Sequence, residues 1–242
     1  MVSLHIPTNP LQAGKHLPAG RPTLGRITGH GPGHDIIELR GEIGVPFRGQ
    51  GHAQLRSPCG HLVEENADGS RTVWVGELEI RHRMRWAVGY TLRPGRSYLE
   101  TSLRILNRTP VAHTMLCFAN AAVHANEDYQ VIFPPSTQHV TFHSKRYFTT
   151  WPIATTRYGW SDYSAGVDVS WYKNLENSTS MFAWNYEDDF AAGYDHGRQA
   201  GTMSVANHHI IPGKKLWTWG HGPGGQAWDS ILTDEDGPYF EL

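Results

Sequence analysis

Residues 85–105 read RWAVGYTLRPGRSYLETSLRI, and this stretch decides the fold class. Apolar or β-branched side chains fall on every second position of each half, which is the period of a β-strand. They are Trp86, Val88, Tyr90 and Leu92 in the first half, and Leu99, Thr101, Leu103 and Ile105 in the second. Pro94-Gly95 between the halves is typical of a turn. We therefore predict an antiparallel hairpin.

The same kind of pattern continues on both sides of this hairpin. Residues 67–70 are typical of a turn and precede a predicted strand over 72–79. Further strands are predicted over 115–124, 130–133, 168–172, 179–185, 202–209 and 216–219. No amphipathic helix of ordinary length is predicted, and the Gly-, Pro- and His-rich residues 1–60 predict only short strands, such as 35–39. Two packed antiparallel sheets in one domain over 1–242 would bury these strands.

Composition excludes several classes of function. The chain has 242 residues, 39% of them hydrophobic and 18% charged, and a formal charge of -2. The basic residues are scattered, so we expect no nucleic-acid partner. No apolar run approaches the ~20 residues of a membrane span, and Met1–Gly14 lacks signal-peptide features, so we expect no membrane partner and a cytoplasmic protein. Cys59 and Cys117 are expected to be reduced, buried thiols.

The segment 118–128, FANAAVHANED, is a candidate ligand-binding strand. Alternation puts Asn120, Ala122 and His124 on one face, where the small Ala122 leaves room between two hydrogen-bonding side chains. These residues predict a floor for a polar ligand. The alternative is that His124 only hydrogen-bonds a neighbouring strand or loop.

The segment 182–197 carries three adjacent carboxylates, Glu187, Asp188 and Asp189, and then His196. Adjacent carboxylates repel unless a cation, an Arg side chain or a shared proton compensates them. No cofactor is expected, but oxygen-rich ligation of this kind would suit calcium. The alternative is a solvated acidic loop.

The segment 206–221, ANHHIIPGKKLWTWGH, combines histidines with tryptophans. Adjacent residues of a strand point to opposite faces, so at most one of His208 and His209 is expected to share a site with Trp217 or Trp219. Tryptophan beside polar side chains suits a sugar, which offers C–H faces for stacking and hydroxyls for hydrogen bonds. The alternative is that the tryptophans are core residues.

Glu241 lies in an apolar, strand-like context near the end of the sequence. Burial there would suit it to general acid or base work, whereas a carboxylate near a chain end is otherwise simply solvated. Nucleophilic catalysis is disfavoured because the chain has no Gly-x-Ser-x-Gly elbow and neither cysteine lies in an activating sequence.

Several long motifs resemble the DUF5107 family over roughly residues 64–242, with the chain shortened at both ends. They are 120–135, 184–201, 212–220, 232–234 and 237–239. That family is similar to the galactose-mutarotase-like proteins, and its domain is often followed by tetratricopeptide repeats. The resemblance implies an antiparallel β-supersandwich with a carbohydrate ligand on a concave sheet face. It also implies that association into a homo-oligomer could complete a shortened site.

Aldose 1-epimerases of the same superfamily use a histidine as acid and a late glutamate as base. By that analogy His124, His208 and His209 are acid candidates and Glu241 is the base candidate, although the usual Asn-His-Thr context of the epimerases is missing.

Three functions are compatible with these residues. The first, which we favour, is a glycoside hydrolase using carboxylate general acid/base chemistry, because acidic residues and histidines cluster beside aromatic residues. The second is a sugar epimerase, and the third is a noncatalytic carbohydrate-binding domain using Trp160, Trp171, Trp217 and Trp219. Catalytic candidates are Glu241, His124, Glu187, Asp189 and His208; substrate-binding candidates are Asn120, Asp188, His196, His209, Trp217 and Trp219.

Overall fold

The computed structural model describes residues 2–4, 40–44, 60–80, 83–113, 118–232 and 237–242, and these ranges are mostly β-strand. The strand pairs within residues 60–241 are antiparallel, and the first strand of the chain pairs in parallel with the strand over Leu99–Asn107. The predicted all-β, antiparallel class is therefore confirmed. Cys59, Cys117 and the apolar run 35–39 lie outside the described residues.

The described elements follow one another along the chain, and the one α-helix among them lies near its end. They are β1 (Val2–Leu4), β2 (Arg40–Gly44), β3 (Gly60–Glu65), β4 (Arg71–Glu79), β5 (Met84–Leu92), β6 (Leu99–Asn107), β7 (Phe118–His124), β8 (Tyr129–Ile132), β9 (His139–Thr141), β10 (Phe148–Thr150), β11 (Ile153–Ala154), β12 (Arg157–Tyr158), β13 (Ser161–Asp162), β14 (Val167–Asp168), β15 (Thr179–Trp184), β16 (Phe190–Asp195), β17 (Ala200–Val205), β18 (Lys215–Thr218), α1 (Pro223–Leu232) and β19 (Tyr239–Glu241).

The chain divides into two compact units. The first unit comprises Met1–Glu38 and Ile43–Ala119, and the second comprises Leu39–Glu42 and Asn120–Leu242. The single domain predicted over 1–242 stays a prediction.

The first unit contains a five-stranded sheet in the order β1-β6-β5-β4-β3. Its centre is the predicted hairpin, since β5 pairs with β6 from Leu92 opposite Leu99 onward. One face buries the apolar side chains of Met84, Val88 and Leu103. The other face is polar and lines a hollow of about 510 Å³. Period-two alternation therefore divides this sheet into an apolar and a polar face, as the sequence predicts.

The second unit is organised around a seven-stranded sheet in the order β10-β9-β15-β18-β19-β7-β2. Beside it lie the three-stranded sheet β17-β16-β8 and the two small pairs β11-β14 and β12-β13. One face of the large sheet packs into the core of the unit, with Val123, Val140, Met181, Leu216 and Phe240 buried. Because side chains alternate along each strand, the residues between these point to the opposite face.

Three predictions about local structure were wrong. The strand predicted over 168–172 is β14 followed by a short 3-10 turn at Tyr172–Asn174. The strand predicted over 202–209 ends at Val205. Helix α1 was not predicted, because 223–225 reads Pro-Gly-Gly; Pro is nevertheless favourable at the first helical position, where its missing N–H group has no intrahelical partner. The part of the chain that the structure describes has no helix with the length and hydropathy of a membrane span.

Candidate functional site

The outward face of the large sheet, which we call the open face, brings polar and aromatic side chains together. Glu241 of β19 lies opposite Trp217 of β18 on one side and opposite Ala122 of β7 on the other. Directly opposed residues in antiparallel strands share a face, as do residues two apart on one strand. The open face therefore carries Asn120, Ala122, His124, Ser180, Phe182, Lys215, Trp217, Tyr239 and Glu241.

An ion pair lies near the middle of the open face. The Lys215 Nζ donates a hydrogen bond of 2.8 Å to Glu241 Oε2, and the two side chains are 15% and 27% exposed. Lys215 is on β18, two residues before Trp217, so adjacent strands hold the two charges together. Such an ammonium–carboxylate contact is a charge-assisted hydrogen bond and is stronger than a neutral one.

His143, in the loop between β9 and β10, lies beside this ion pair. Its Nδ1 is 2.6 Å from the hydroxyl oxygen of Ser180, and its ring meets the edge of the Phe182 ring at a centroid distance of 4.8 Å. Burial lowers the pKa of His143, the Lys215 charge lowers it further, and the Glu241 charge opposes both. His143 is therefore within electrostatic reach of both charged groups and is mostly neutral near pH 7.

Aromatic rings border the Glu241 carboxylate. Trp217 contacts Trp219 with centroids 4.7 Å apart and Tyr239 with centroids 6.0 Å apart. Burial raises the pKa of Tyr239, so this hydroxyl stays protonated. On β7, the Asn120 Oδ1 is buried and accepts no hydrogen bond from any residue that the structure describes. An unsatisfied buried acceptor is costly, and a ligand hydroxyl would satisfy it.

Five predicted site residues gather in a different place, the loops after β15 and β17. We call Glu187, Asp188, Asp189, His208 and His209 the loop cluster. The Ser136 hydroxyl donates to Asp188 at 3.2 Å, and the backbone N–H of His208 donates to Asp189 at 2.9 Å. That backbone bond, and after it the hydrogen bond with the His208 imidazole, lower the pKa of the exposed Asp189. Local hydrogen bonds from Ser136 and His208 therefore stabilise the carboxylates of Asp188 and Asp189.

The predicted separation of the two adjacent histidines was wrong. His208 and His209 lie in a turn beyond the end of β17, and their ring centroids are only 3.9 Å apart. A turn does not impose the alternation of a strand. His196, also predicted as a binding residue, lies elsewhere at the end of β16, where its ring stacks on Trp171 at 4.9 Å and its Nε2 is 3.0 Å from Gln130 Oε1.

The described ranges contain no group of three or more His, Cys, Asp or Glu side chains arranged to hold a metal ion. This holds for Glu187, Asp188 and Asp189 as well, whose carboxylates were the candidate calcium ligands. The open face is therefore the better candidate for chemistry, because it combines a carboxylate, an ammonium group, an imidazole and an aromatic border.

Comparison with known proteins places the chain in a family. A family described as "Domain of unknown function (DUF5107)" matches residues 38–242. The chain belongs to the DUF5107 family. The resemblance found in the sequence motifs is thus confirmed for the family itself.

A solved structure with a similar fold is a TPR-domain containing protein from Parabacteroides distasonis. The TM-score is 0.64 at 21% sequence identity, and the match covers 84% of this chain but only 32% of that one. At this identity the likeness concerns the fold alone. This DUF5107 chain therefore spans about a third of the protein that it matches.

Sequence reasoning identified part of the open face of the DUF5107 domain. Asn120, His124, Trp217 and Glu241 were predicted and share that face, and the predicted Trp219 contacts Trp217. The residues that were missed include Lys215 and Tyr239 on the face itself and His143 beside it. Lys215 lies two residues before Trp217 on one strand, so the period of a β-strand could have placed both on the same face. His143 lies in a loop, and no motif around it signals its position.

Proposed function

We propose that the open face binds a sugar and that Glu241 and Lys215 transfer protons at its anomeric centre, as in a galactose-mutarotase-like sugar 1-epimerase. The observation that carries this proposal is the 2.8 Å contact between Lys215 Nζ and Glu241 Oε2 on a sheet face bordered by Trp217. It is an acid and a base in direct contact, next to a surface on which a sugar ring can stack.

The chemistry of anomer exchange matches this pair. The anomeric hydroxyl loses its proton to the Glu241 carboxylate while the ring oxygen gains a proton from the Lys215 ammonium group. The bond between the anomeric carbon and the ring oxygen breaks, and an open-chain aldehyde forms. The direct hydrogen bond between the two side chains returns the proton from Glu241 to Lys215. Rotation of the aldehyde and the reverse steps close the ring as the other anomer.

The remaining residues of the open face suit substrate binding. The Asn120 Oδ1 is a buried acceptor for a sugar hydroxyl, and Tyr239 supplies a protonated hydroxyl. His143 differs from the histidine acid of the epimerases, because its lowered pKa leaves little imidazolium at neutral pH. We therefore assign to His143 a hydrogen bond to a substrate hydroxyl, and to Lys215 the role of the acid.

The proposal is tested by polarimetry on freshly dissolved α-anomers of glucose, galactose, xylose and arabinose. Wild-type protein should accelerate the exchange of at least one sugar, and Glu241→Gln should lose about 10²–10⁴ of that acceleration, the range for one general acid or base. Glu65→Gln is the matched carboxylate control, because Glu65 is exposed in the first unit and pairs with Arg71. Equal rates for the wild type and Glu241→Gln would refute the role of Glu241.

Glycoside hydrolysis is the second candidate, favoured by the buried Asp229 of α1. Burial raises the pKa of Asp229, and both Asp229 and Glu241 lie near enough to Tyr239 to raise the pKa of its hydroxyl. Two carboxyl groups around one site, one of them with a raised pKa, are what a glycosidase needs. Hydrolysis of chromogenic glycosides that is lost in both Asp229→Asn and Glu241→Gln, without any anomer exchange, would favour this second function.

A further inference from the structure

Three tryptophans of the second unit line a small cavity that the proposed proton transfer does not use. The cavity has a volume of about 180 Å³ and is bordered by Trp160, Trp219, Trp228, by the segment 176–178 and by the first turn of α1. Ligand pockets for drug-sized molecules measure about 300–1,000 Å³. This cavity is therefore the size of a single small ring.

Trp160 is an exposed side chain on an anchored hairpin. It occupies the tip of the β12–β13 hairpin, after Gly159 with a positive φ of 59°, and is 82% exposed. The hairpin itself is anchored, because the buried Tyr158 donates its hydroxyl proton to the Ser180 carbonyl at 2.8 Å. On the far side, Asn177 Nδ2 donates to Ser161 Oγ at 3.1 Å. A large aromatic ring on a fixed tip is pre-organised for a ligand, since little freedom is lost on binding.

Trp228 is the second exposed ring of the cavity. Its ring stacks on Trp219 with centroids 5.0 Å apart and planes 11° apart, and Trp228 remains 46% exposed. Trp219 thus fixes the orientation of Trp228 from behind. Two aromatic rings at one cavity provide the flat apolar surfaces on which the C–H faces of a sugar stack.

Hydrogen-bond donors and acceptors complete the cavity. The first turn of a helix leaves its N–H groups without intrahelical acceptors, which makes Gly224 and Gly225 of α1 donors at the cavity wall. Glu176 supplies carboxylate oxygens as acceptors. The same carboxylate repels anions, so a phosphate or a uronic acid is disfavoured although helix N-termini usually attract them. A neutral, hydroxyl-rich ligand fits all of these groups.

We infer that this cavity is a second carbohydrate-binding site, which takes one neutral sugar unit of a glycan against Trp160 and Trp228. The inference does not depend on proton transfer by Glu241. Through Trp219 the cavity adjoins Trp217 on the open face. A glycan unit in this cavity would therefore lie next to the open face.

The test is direct binding of neutral trisaccharides by isothermal titration and by ligand-observed NMR, with cellotriose, maltotriose, xylotriose, mannotriose and β-1,4-galactotriose as probes. At least one should bind, and Trp160→Ala and Trp228→Ala should each lower its affinity by about tenfold, which is 1.4 kcal/mol. Ile231→Ala is the matched control on α1, since Ile231 is an exposed apolar residue that does not line the cavity. Its affinity should equal that of the wild type.

Two further variants test whether binding in the cavity is independent of Glu241 and whether Glu176 excludes anionic sugars. Glu241→Gln should still bind the trisaccharide, because that carboxylate is not part of the cavity. Glu176→Gln should gain affinity for trigalacturonate relative to the wild type, because the repelling charge is gone. The inference is overturned if no neutral trisaccharide binds, if the two tryptophan variants bind as tightly as the wild type, or if trigalacturonate is preferred by the wild type.

Discussion

Replacing Lys215 by Met tests the electrostatics of the open face. Met keeps the apolar stem of Lys215 and removes its charge, so packing changes little. The ion pair with Glu241 is intermediate in exposure, at 15% and 27%. Exposed pairs contribute about 0–1 kcal/mol and breaking a fully buried pair costs about 3–5 kcal/mol. The free energy of unfolding should therefore fall by about 1–3 kcal/mol, measured by urea unfolding at pH 7.

The same substitution should raise the pKa of His143. The Lys215 charge lowers that pKa in the wild type, whereas the Glu241 charge raises it. Lys215→Met should thus move the pKa of His143 upward, and Glu241→Gln should move it downward. In the double variant both charges are absent, and burial alone should keep the pKa below its ordinary value. The imidazole C–H signals of His143, followed by NMR between about pH 4 and pH 9, report all three directions.

The lowered pKa of His143 should also make the free energy of unfolding depend on pH. Since the pKa of His143 is lower in the folded chain than in the unfolded chain, the unfolded chain binds more protons below about pH 6.5, and the free energy of unfolding falls as the pH is lowered. Lys215→Met should weaken this dependence. An unchanged or lowered pKa of His143 in Lys215→Met would show that Lys215 does not act on His143, and the assignment of the acid would fail.

Three further changes test the fold around the site. Gly193→Ala should cost about 1–3 kcal/mol in urea unfolding, because an added Cβ would lie 2.6 Å from Cζ of the buried Tyr129; Gly213→Ala, whose Cβ meets nothing within 4 Å, should be neutral or slightly stabilising. Tyr158→Phe should cost about 0.5–1.5 kcal/mol through the lost bond to the Ser180 carbonyl. Asp189 stabilises the fold above its unfolded pKa, so Asp189→Asn should lose less stability than the wild type on acidification from about pH 5 to pH 3. The contact of Asp189 would be contradicted if Asp189→Asn lost more stability on acidification than the wild type. The Tyr158 contact would be contradicted if Tyr158→Phe left the free energy of unfolding unchanged, and the Gly193 contact if the two glycine changes had equal effects.

Local patterns predicted much of the fold. The β5–β6 hairpin was predicted because period two, a turn sequence and antiparallel pairing are all encoded within 24 neighbouring residues, Met84 to Asn107. The short strands β9 to β13 were not predicted, because two or three residues are too few to show a period. Helix α1 was hidden because its two glycines have low helix propensity.

The candidate site was predicted only in part, for a related reason. Alternation within one strand groups Asn120 with His124, and Lys215 with Trp217. It does not reveal that β19 lies between β7 and β18 and thereby brings Glu241 next to both groups. That strand order joins residues about 120 positions apart in the sequence, so it depends on tertiary packing. His143 reaches the same place from a loop, where no periodicity applies.

The most direct test of proton transfer by Glu241 is the exchange rate between the α and β anomeric protons of galactose, measured by NMR saturation transfer at equal concentrations of wild-type and Glu241→Gln protein. Glucose, xylose and arabinose are measured in the same way. Proton transfer predicts faster exchange of at least one sugar with the wild type and the spontaneous rate with Glu241→Gln. The same exchange rate with both proteins, for every sugar, would contradict it.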